Sequence, residues 1–199
     1  MARRACALLA WFGVLMAAGL GLHALAGTVR GLDRRLVGDA VAFRTDRLTA
    51  VAHGASLLGR SWLLIPFAAL IGLAVLRPLG IRAWGPLLAV AGADALQNVL
   101  KTLVERPRPS VMHLEHVTGS SFPSGHATES AAFLVALVCM TRPGLSRSVA
   151  AAVAATLIGA VGASRVYLGV HYPTDVAAGI VLGGAWAAGV VRWDLMTRG

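Results

Sequence analysis

Residues 164–191 read SRVYLGVHYPTDVAAGIVLGGAWAAGVV. The second part, 176–191, is an uncharged apolar run, while the first part holds Arg165, His171 and Asp175. Pro173 suits the first turn of a helix, where its missing N–H costs nothing, so His171 stands at the mouth of that helix with Asp175 one turn below. A carboxylate there can accept the proton on one imidazole nitrogen and leave the other nucleophilic. A surface histidine and aspartate beside a helix end would look the same in isolation, so the rest of the chain has to decide.

Outward from this stretch, five further apolar runs can be marked: about 6–25, 57–76, 83–100, 127–140 and 149–163. Several fall short of the ~20 residues that span hydrocarbon, and each alone could be a buried helix. Their density points to a membrane, because a soluble fold would need polar faces and these runs carry only isolated polar residues. Composition agrees: the chain is 57% hydrophobic and 14% charged, with mean hydropathy +0.71. The expected fold is an all-α integral membrane protein, one domain over residues 1–199, built as a bundle of about six transmembrane helices with its active site at one membrane face.

The formal charge is +9. The cations lie between apolar runs or inside the clusters below, which favours anionic lipid and phosphate as partners over nucleic acid. Cys6 and Cys139 sit in apolar runs and offer neither a disulfide framework nor a zinc spacing.

Arg3 and Arg4 precede a first run that ends in Ala24, Leu25 and Ala26, the outline of a signal peptide. The run exceeds the ~7–15 residues of a usual signal core, so a retained span is expected. In residues 28–54, Val29, Leu32, Leu36, Ala40 and Phe43 recur at helical spacing, with Arg30, Asp33, Arg34 and Arg44 elsewhere on the wheel. Two readings stand: an amphipathic helix along the membrane surface, or a solvated loop with short helical pieces. With six spans, Arg3, Arg4, Arg77, Arg82, Arg142, Arg147, Arg192 and Arg198 fall on one side and the other ten basic residues on the opposite side, so charge counting does not orient the chain.

Polar groups at the ends of membrane helices are expensive, and here they cluster. Asp94, Asn98 and Lys101 occupy one face of the third run, followed by Arg108 and Pro109; a hydrogen-bonded helix contact would explain Asp94 and Asn98 equally well. Pro123, Ser124, Gly125 and His126 open the fourth run. Ser124 suits an N-cap, Gly125 admits a close ligand, and free amides at a helix start attract an anion. Ser164, Arg165, His171 and Asp175 form the third cluster. The clusters end span 3, begin span 4, end span 5 and begin span 6. In an antiparallel bundle those four helix ends meet at one membrane face, around one anion.

At these positions the sequence resembles the type 2 phosphatidic acid phosphatase (PAP2) family, in its membrane-bound lipid phosphatase branch. The family signature is a Lys with Arg-Pro seven residues on, then Pro-Ser-Gly-His, then Ser-Arg with a His and an Asp downstream. Lys101, Arg108 and Pro109, then Pro123 to His126, then Ser164, Arg165, His171 and Asp175 match it without a departure, over residues 101–175. The resemblance implies catalytic roles for His171 as nucleophile, Asp175 as the group holding its tautomer, and His126 as acid to the leaving group. It implies phosphate binding by Lys101, Arg108, Ser124, Gly125 and Arg165. No metal or other cofactor is implied, because the cations do that work; His113, Glu115 and His116 read as a solvated loop rather than a metal site.

The resemblance further implies a lipid phosphatase of a bacterial-type inner membrane, multi-pass, with the site on the extracytoplasmic face. Polyprenyl (undecaprenyl) diphosphate is the first expectation for substrate. Phosphatidic acid, phosphatidylglycerol phosphate and a decaprenylphosphoryl pentose phosphate are the alternatives. The family is also similar to soluble vanadium haloperoxidases, against which the apolar spans argue. A non-catalytic anion-binding or transport protein is the rival of a different class; it predicts phosphate binding without turnover, and the intact His126, His171 and Asp175 set argues against it.

Overall fold

The structure is a computed structural model that describes residues 2–196, without the side chains of residues 2–5, 78, 81–82 and 193–196. The charge-count positions Arg3, Arg4, Arg82 and Arg198 therefore lie outside the described residues or side chains. Among the described residues all regular structure is helical: α1 (Ala2–Thr28), α2 (Arg30–Ala42), α3 (Asp46–Leu57), α4 (Ser61–Ala74), α5 (Leu76–Leu79), a 3-10 turn (Gly80–Trp84), α6 (Gly85–Val104), α7 (Gly125–Met140), α8 (Leu145–Tyr167) and α9 (Pro173–Met196).

The boundaries follow local chemistry. Pro86 sits in the first turn of α6, where a missing N–H is harmless. That helix stops at Glu105, which takes the left-handed conformation with φ 47°, and Pro107 follows. Pro173 opens α9 as expected.

Among the described residues four helices are long and apolar enough to cross a membrane: α1 over Cys6–Thr28, α6, α8, and α9 over Pro173–Arg192. The run at 57–76 is not one straight span. Its helix, α4, has 14 residues, and it forms a fifth crossing only together with α3, from which it is bent by 47°. The run at 127–140 is α7, 16 residues long and packed among α4, α6, α8 and α9. Leu9, Val14, Leu70, Leu73, Leu88, Val153 and Val181 are exposed on the outside of the bundle, as lipid-facing residues are.

Helix α7 is the axis of the bundle. Ala127, Ala131, Ala132 and Ala136 are fully buried along it, and α9 meets it through Gly179 and Gly183. A Cβ on Gly179 would stand 2.8 Å from the Ser124 carbonyl oxygen and 2.8 Å from Thr128 Oγ1. Small residues thus let the two backbones touch, the usual solution where lipid removes any hydrophobic drive between helices. The Ser124 N–H donates to the Asp175 carbonyl at 3.0 Å, which ties the start of α7 to the start of α9. On the other flank, Trp11 of α1 donates its indole N–H to the Ala185 carbonyl at 3.3 Å.

Segment 28–54 contains two helices whose orientation follows membrane logic. Val29, which precedes α2, and Leu32 and Leu36 on it are exposed, while Asp33 and Val37 are buried. The apolar stripe faces outward, and an aspartate faces the protein.

Candidate active site

The ends of α6 and α8 and the starts of α7 and α9 meet at one end of the bundle. Between them lies a cavity of about 390 Å³, lined by Lys101, Arg108, Gly125, His126, Arg165 and His171, and also by Arg60, Ser61, Trp62, Asp94, Gln97, Asn98 and Glu129. Six of the eight residues singled out from sequence therefore share one wall. Ser124 and Asp175 stand directly behind it, both fully buried.

His171 is held in one tautomer. Its Nδ1 lies 2.7 Å from the Ser121 carbonyl oxygen, an acceptor only, so Nδ1 carries the proton and Nε2 presents a lone pair to the cavity. The sequence assigned this task to Asp175, but the Asp175 carboxylate is 3.7 Å from Nδ1, beyond hydrogen-bond range. Asp175 instead accepts from Arg106 Nη1 at 2.5 Å, from the Ser121 hydroxyl and from the Tyr172 N–H at 2.8 Å. It supplies negative charge behind the ring, and Ser121 supplies the orientation. Burial pushes the His171 imidazole down to about 4; Asp175 opposes the shift, and Arg108 and Arg165 add to it. The ring is neutral at ordinary pH.

Arg108 is fixed by backbone carbonyls. It donates to Val170 at 2.9 Å, Gly119 at 3.1 Å and Thr118 at 2.9 Å, with Nη1 3.4 Å from His171 Nε2. A cation therefore stands beside the lone pair. Arg165, 1% exposed, is held from behind by Glu115 Oε2 at 2.6 Å and the Ser56 hydroxyl at 2.5 Å. Burial alone would raise the Glu115 carboxyl, but hydrogen bonding and charge from Arg165, with Ser56 and Arg60, hold it at about 2. Glu115 is thus not a solvated loop residue: it anchors the Arg165 guanidinium. Its neighbour His113 contacts the Pro109 carbonyl at 2.9 Å.

Two features leave room for a phosphate. Gly125 carries no side chain, and a Cβ there would lie 3.2 Å from Gln97 Oε1 and 3.3 Å from Lys101 Nζ, inside the cradle. Several buried polar atoms make no hydrogen bond to protein: Ser124 Oγ, His126 Nε2 and Arg165 Nε among them. Ser124 is the α7 N-cap residue, yet its hydroxyl forms no cap bond. Orphaned buried polar atoms are costly, and a tetrahedral anion would satisfy donors of this kind together with the free N–H groups of the α7 first turn.

Arg106, Asp33, Ser121, Glu115 and Ser56 were missed from sequence. Arg106 bridges two buried carboxylates, donating to Asp175 through Nη1 and to Asp33 Oδ2 through Nη2 at 2.8 Å, while its guanidinium lies 4.5 Å from the centroid of the Tyr172 ring. Asp33 also accepts from the Thr174 N–H at 3.2 Å. The two carboxylates with one arginine pin α2 to the start of α9.

Comparison with known proteins gives a consistent result. The PAP2 superfamily profile matches residues 82–198. Phosphatidylglycerophosphatase B of Bacillus subtilis (strain 168) is 36% identical over 180 residues, which cover 86% of each chain. The decaprenylphosphoryl-5-phosphoribose phosphatase of Mycobacterium tuberculosis (strain ATCC 25618 / H37Rv) is 37% identical over 146 residues, 68% of this chain and 75% of that one. The crystal structure of a transmembrane PAP2 type phosphatidylglycerolphosphate phosphatase from Bacillus subtilis superposes with a TM-score of 0.80 and 30% identity, covering 97% of this chain and 96% of the other.

Proposed function

The chain belongs to the PAP2 superfamily of membrane phosphatases, and on that premise we propose that it hydrolyses the terminal phosphate of a lipid headgroup through a phosphohistidine at His171 Nε2. The observation that carries the reading is the pairing of Nδ1 with the Ser121 carbonyl, which leaves Nε2 unprotonated in the cavity, its lone pair 3.4 Å from the Arg108 Nη1 that donates towards it.

In the first step the Nε2 lone pair attacks phosphorus, an N–P bond forms, and the P–O bond to the headgroup breaks. His126, with its Nε2 unpaired in the cavity, protonates the leaving oxygen. Lys101, Arg108 and Arg165, with the Ser124 hydroxyl and the Gly125 amide, stabilise the equatorial oxygens, the kind of preorganised donor set that carries most of the catalytic effect. Positive charge developing on His171 is offset by the Ser121 carbonyl and by Asp175. In the second step water attacks phosphorus, His126 takes its proton, the N–P bond breaks and inorganic phosphate leaves. The three cations occupy the role that a divalent metal fills in other phosphatases.

The substrate arrives from the bilayer. Trp62 lines the cavity and is 63% exposed, which supports an opening towards lipid between the start of α4 and the face of α6 that holds Asp94 and Asn98. The Bacillus subtilis and Mycobacterium tuberculosis relatives, each matching over two thirds of this chain, are named for lipids with a terminal phosphomonoester. That moves phosphatidylglycerol phosphate and polyprenyl pentose phosphates ahead of polyprenyl diphosphate. Phosphate release from detergent-purified protein, measured over a panel of lipid mono- and diphosphates, tests the reading; turnover of a lipid monophosphate that is lost in His171→Ala is the expected result, and no turnover of any of them sinks it.

A further inference from the structure

Arg60 is a cation of the cavity that the phosphate chemistry leaves unused. It lines the cavity with Ser61 and Trp62, stands at the N-cap position of α4 and precedes residues 82–198, where the superfamily profile matches. Its place follows from Gly59. The backbone there lies so close to α7 that a Cβ would stand 2.9 Å from His126 Cβ and 3.0 Å from the His126 carbonyl oxygen. Arg60 is the next residue, and its charge acts on His126. Trp62, exposed at the mouth of the cavity, is two residues further on. On the leaving-group side of the transferred phosphate, the order towards lipid is therefore His126, Arg60, Trp62.

Arg60 has no carboxylate of its own. Glu115 Oε1 is 3.4 Å from Arg60 Nη2, 3.1 Å from the Ser56 hydroxyl and 3.5 Å from His53 Nδ1, while Glu115 Oε2 is 2.6 Å from Arg165 Nη1. Two arginines thus share one carboxylate, and Arg60 holds the longer bond. Its Nε is buried and makes no hydrogen bond to protein. The acidic residues that line the cavity, Asp94 and Glu129, are neighbours of Lys101 on the α6–α7 wall. A buried guanidinium N–H without an acceptor, on a cation that is only partly compensated, calls for an anionic oxygen. Lys101, Arg108 and Arg165 already surround the phosphate that is transferred. We infer that Arg60 binds a second phosphoryl group, one that stays with the lipid as part of the leaving group. A neutral diacylglycerol or prenol offers Arg60 no partner, so lipids with a single phosphate are the disfavoured class.

This inference rests on the phosphatase reading above, and the test separates the two. Full-length protein in detergent is assayed with two pairs of lipids matched in their chains: phosphatidylglycerol phosphate against phosphatidic acid, and undecaprenyl diphosphate against undecaprenyl phosphate. In each pair only the first member has a leaving group that keeps a phosphoryl group. In the pair that the wild type turns over faster, that member is expected to be favoured in kcat/KM by about tenfold or more, the scale of a charge-assisted hydrogen bond. Arg60→Gln should raise KM for it by about tenfold, with a smaller change in kcat, and bring the ratio towards one. Arg60→Lys keeps the charge and should retain part of the ratio. The ratio does not depend on the fraction of protein that folds. Equal wild-type rates within the pair, an unchanged KM in Arg60→Gln, or a loss of equal size on both members would overturn the second phosphoryl site and leave the phosphatase reading intact. An equal loss would show that Arg60 serves only Glu115 or the transferred phosphate. No turnover of any lipid would overturn the phosphatase reading itself.

Discussion

The imidazole of His171 is oriented by the carbonyl of Ser121, at 2.7 Å from Nδ1, and Asp175 stands off at 3.7 Å. Orientation and charge compensation are therefore supplied by different groups. Asp175→Asn should leave the His171 tautomer in place and remove the negative charge that balances the developing cation. The expected outcome is a kcat reduced by roughly a hundredfold or more with KM little changed, less severe than where one carboxylate both orients and compensates, as in the serine protease triad with its ~10⁴-fold loss. Steady-state kinetics on a lipid monophosphate check it; a variant with near-normal kcat would contradict the assignment of charge to Asp175.

Arg106 joins α2 to α9 by pairing Asp33 and Asp175 at once. Removing it strands two buried carboxylates, so Arg106→Ala is expected to cost about 3–5 kcal/mol of stability. Arg106→Lys should recover only part, because one ammonium lacks the planar fork that reaches both partners. Denaturation in detergent measures both variants. Stability equal to wild type for Arg106→Ala would show that the bridge does not hold the helices.

The His171 imidazole, pushed down to about 4 by burial, must be neutral to attack. Activity should therefore persist well below the usual histidine range, with kcat/KM falling as pH drops through about 4. Glu115 adds a stability effect of the same sign. Its carboxyl is lowered from 4.5 to about 2 in the fold, so the stabilisation it contributes is full above about 4.5 and is lost as pH falls from there towards 2. A pH profile with its acid limb near 6.5 would contradict the neutral, buried His171.

Met112 is 72% exposed in the loop between α6 and α7, on the side of the cavity. A cysteine introduced there, in a chain whose Cys6 and Cys139 are replaced, should react with an impermeant maleimide added outside intact cells. Reaction only after the cytoplasmic side is opened would place the site on the other face.

The six apolar runs were legible because lipid demands continuous hydrophobic helices, and the gathering of the cavity-lining residues because the ends of adjacent antiparallel helices must meet. What stayed hidden depends on contacts distant in sequence. Asp33 read as one polar position on an amphipathic wheel, yet in a membrane bundle the polar side turns inward, and its partner Arg106 lies 73 residues away. Glu115 looked like a loop residue because nothing local marks its pairing with Arg165, 50 residues on. The span expected over 57–76 shortens to α4 because the chain bends between α3 and α4, at Gly59, which packs against His126 and Val161 so closely that a Cβ would stand 2.9 Å from His126 Cβ and 2.7 Å from Val161 Cγ1. That close approach brings Arg60, Ser61 and Trp62 to the cavity, an arrangement that hydropathy does not encode.

The central claim is that phosphorus is transferred to His171 before it reaches water. Wild-type protein and His126→Ala, mixed with a lipid substrate carrying radiolabelled terminal phosphate and quenched rapidly in alkali, can be digested and the label mapped. The account predicts an acid-labile, alkali-stable phosphoryl group on the peptide containing His171 in the wild type; His126→Ala, which lacks both the acid of the first step and the base of the second, should turn over slowly and carry any label on that same peptide. Label absent from protein throughout turnover, or carried by a different residue, would contradict it.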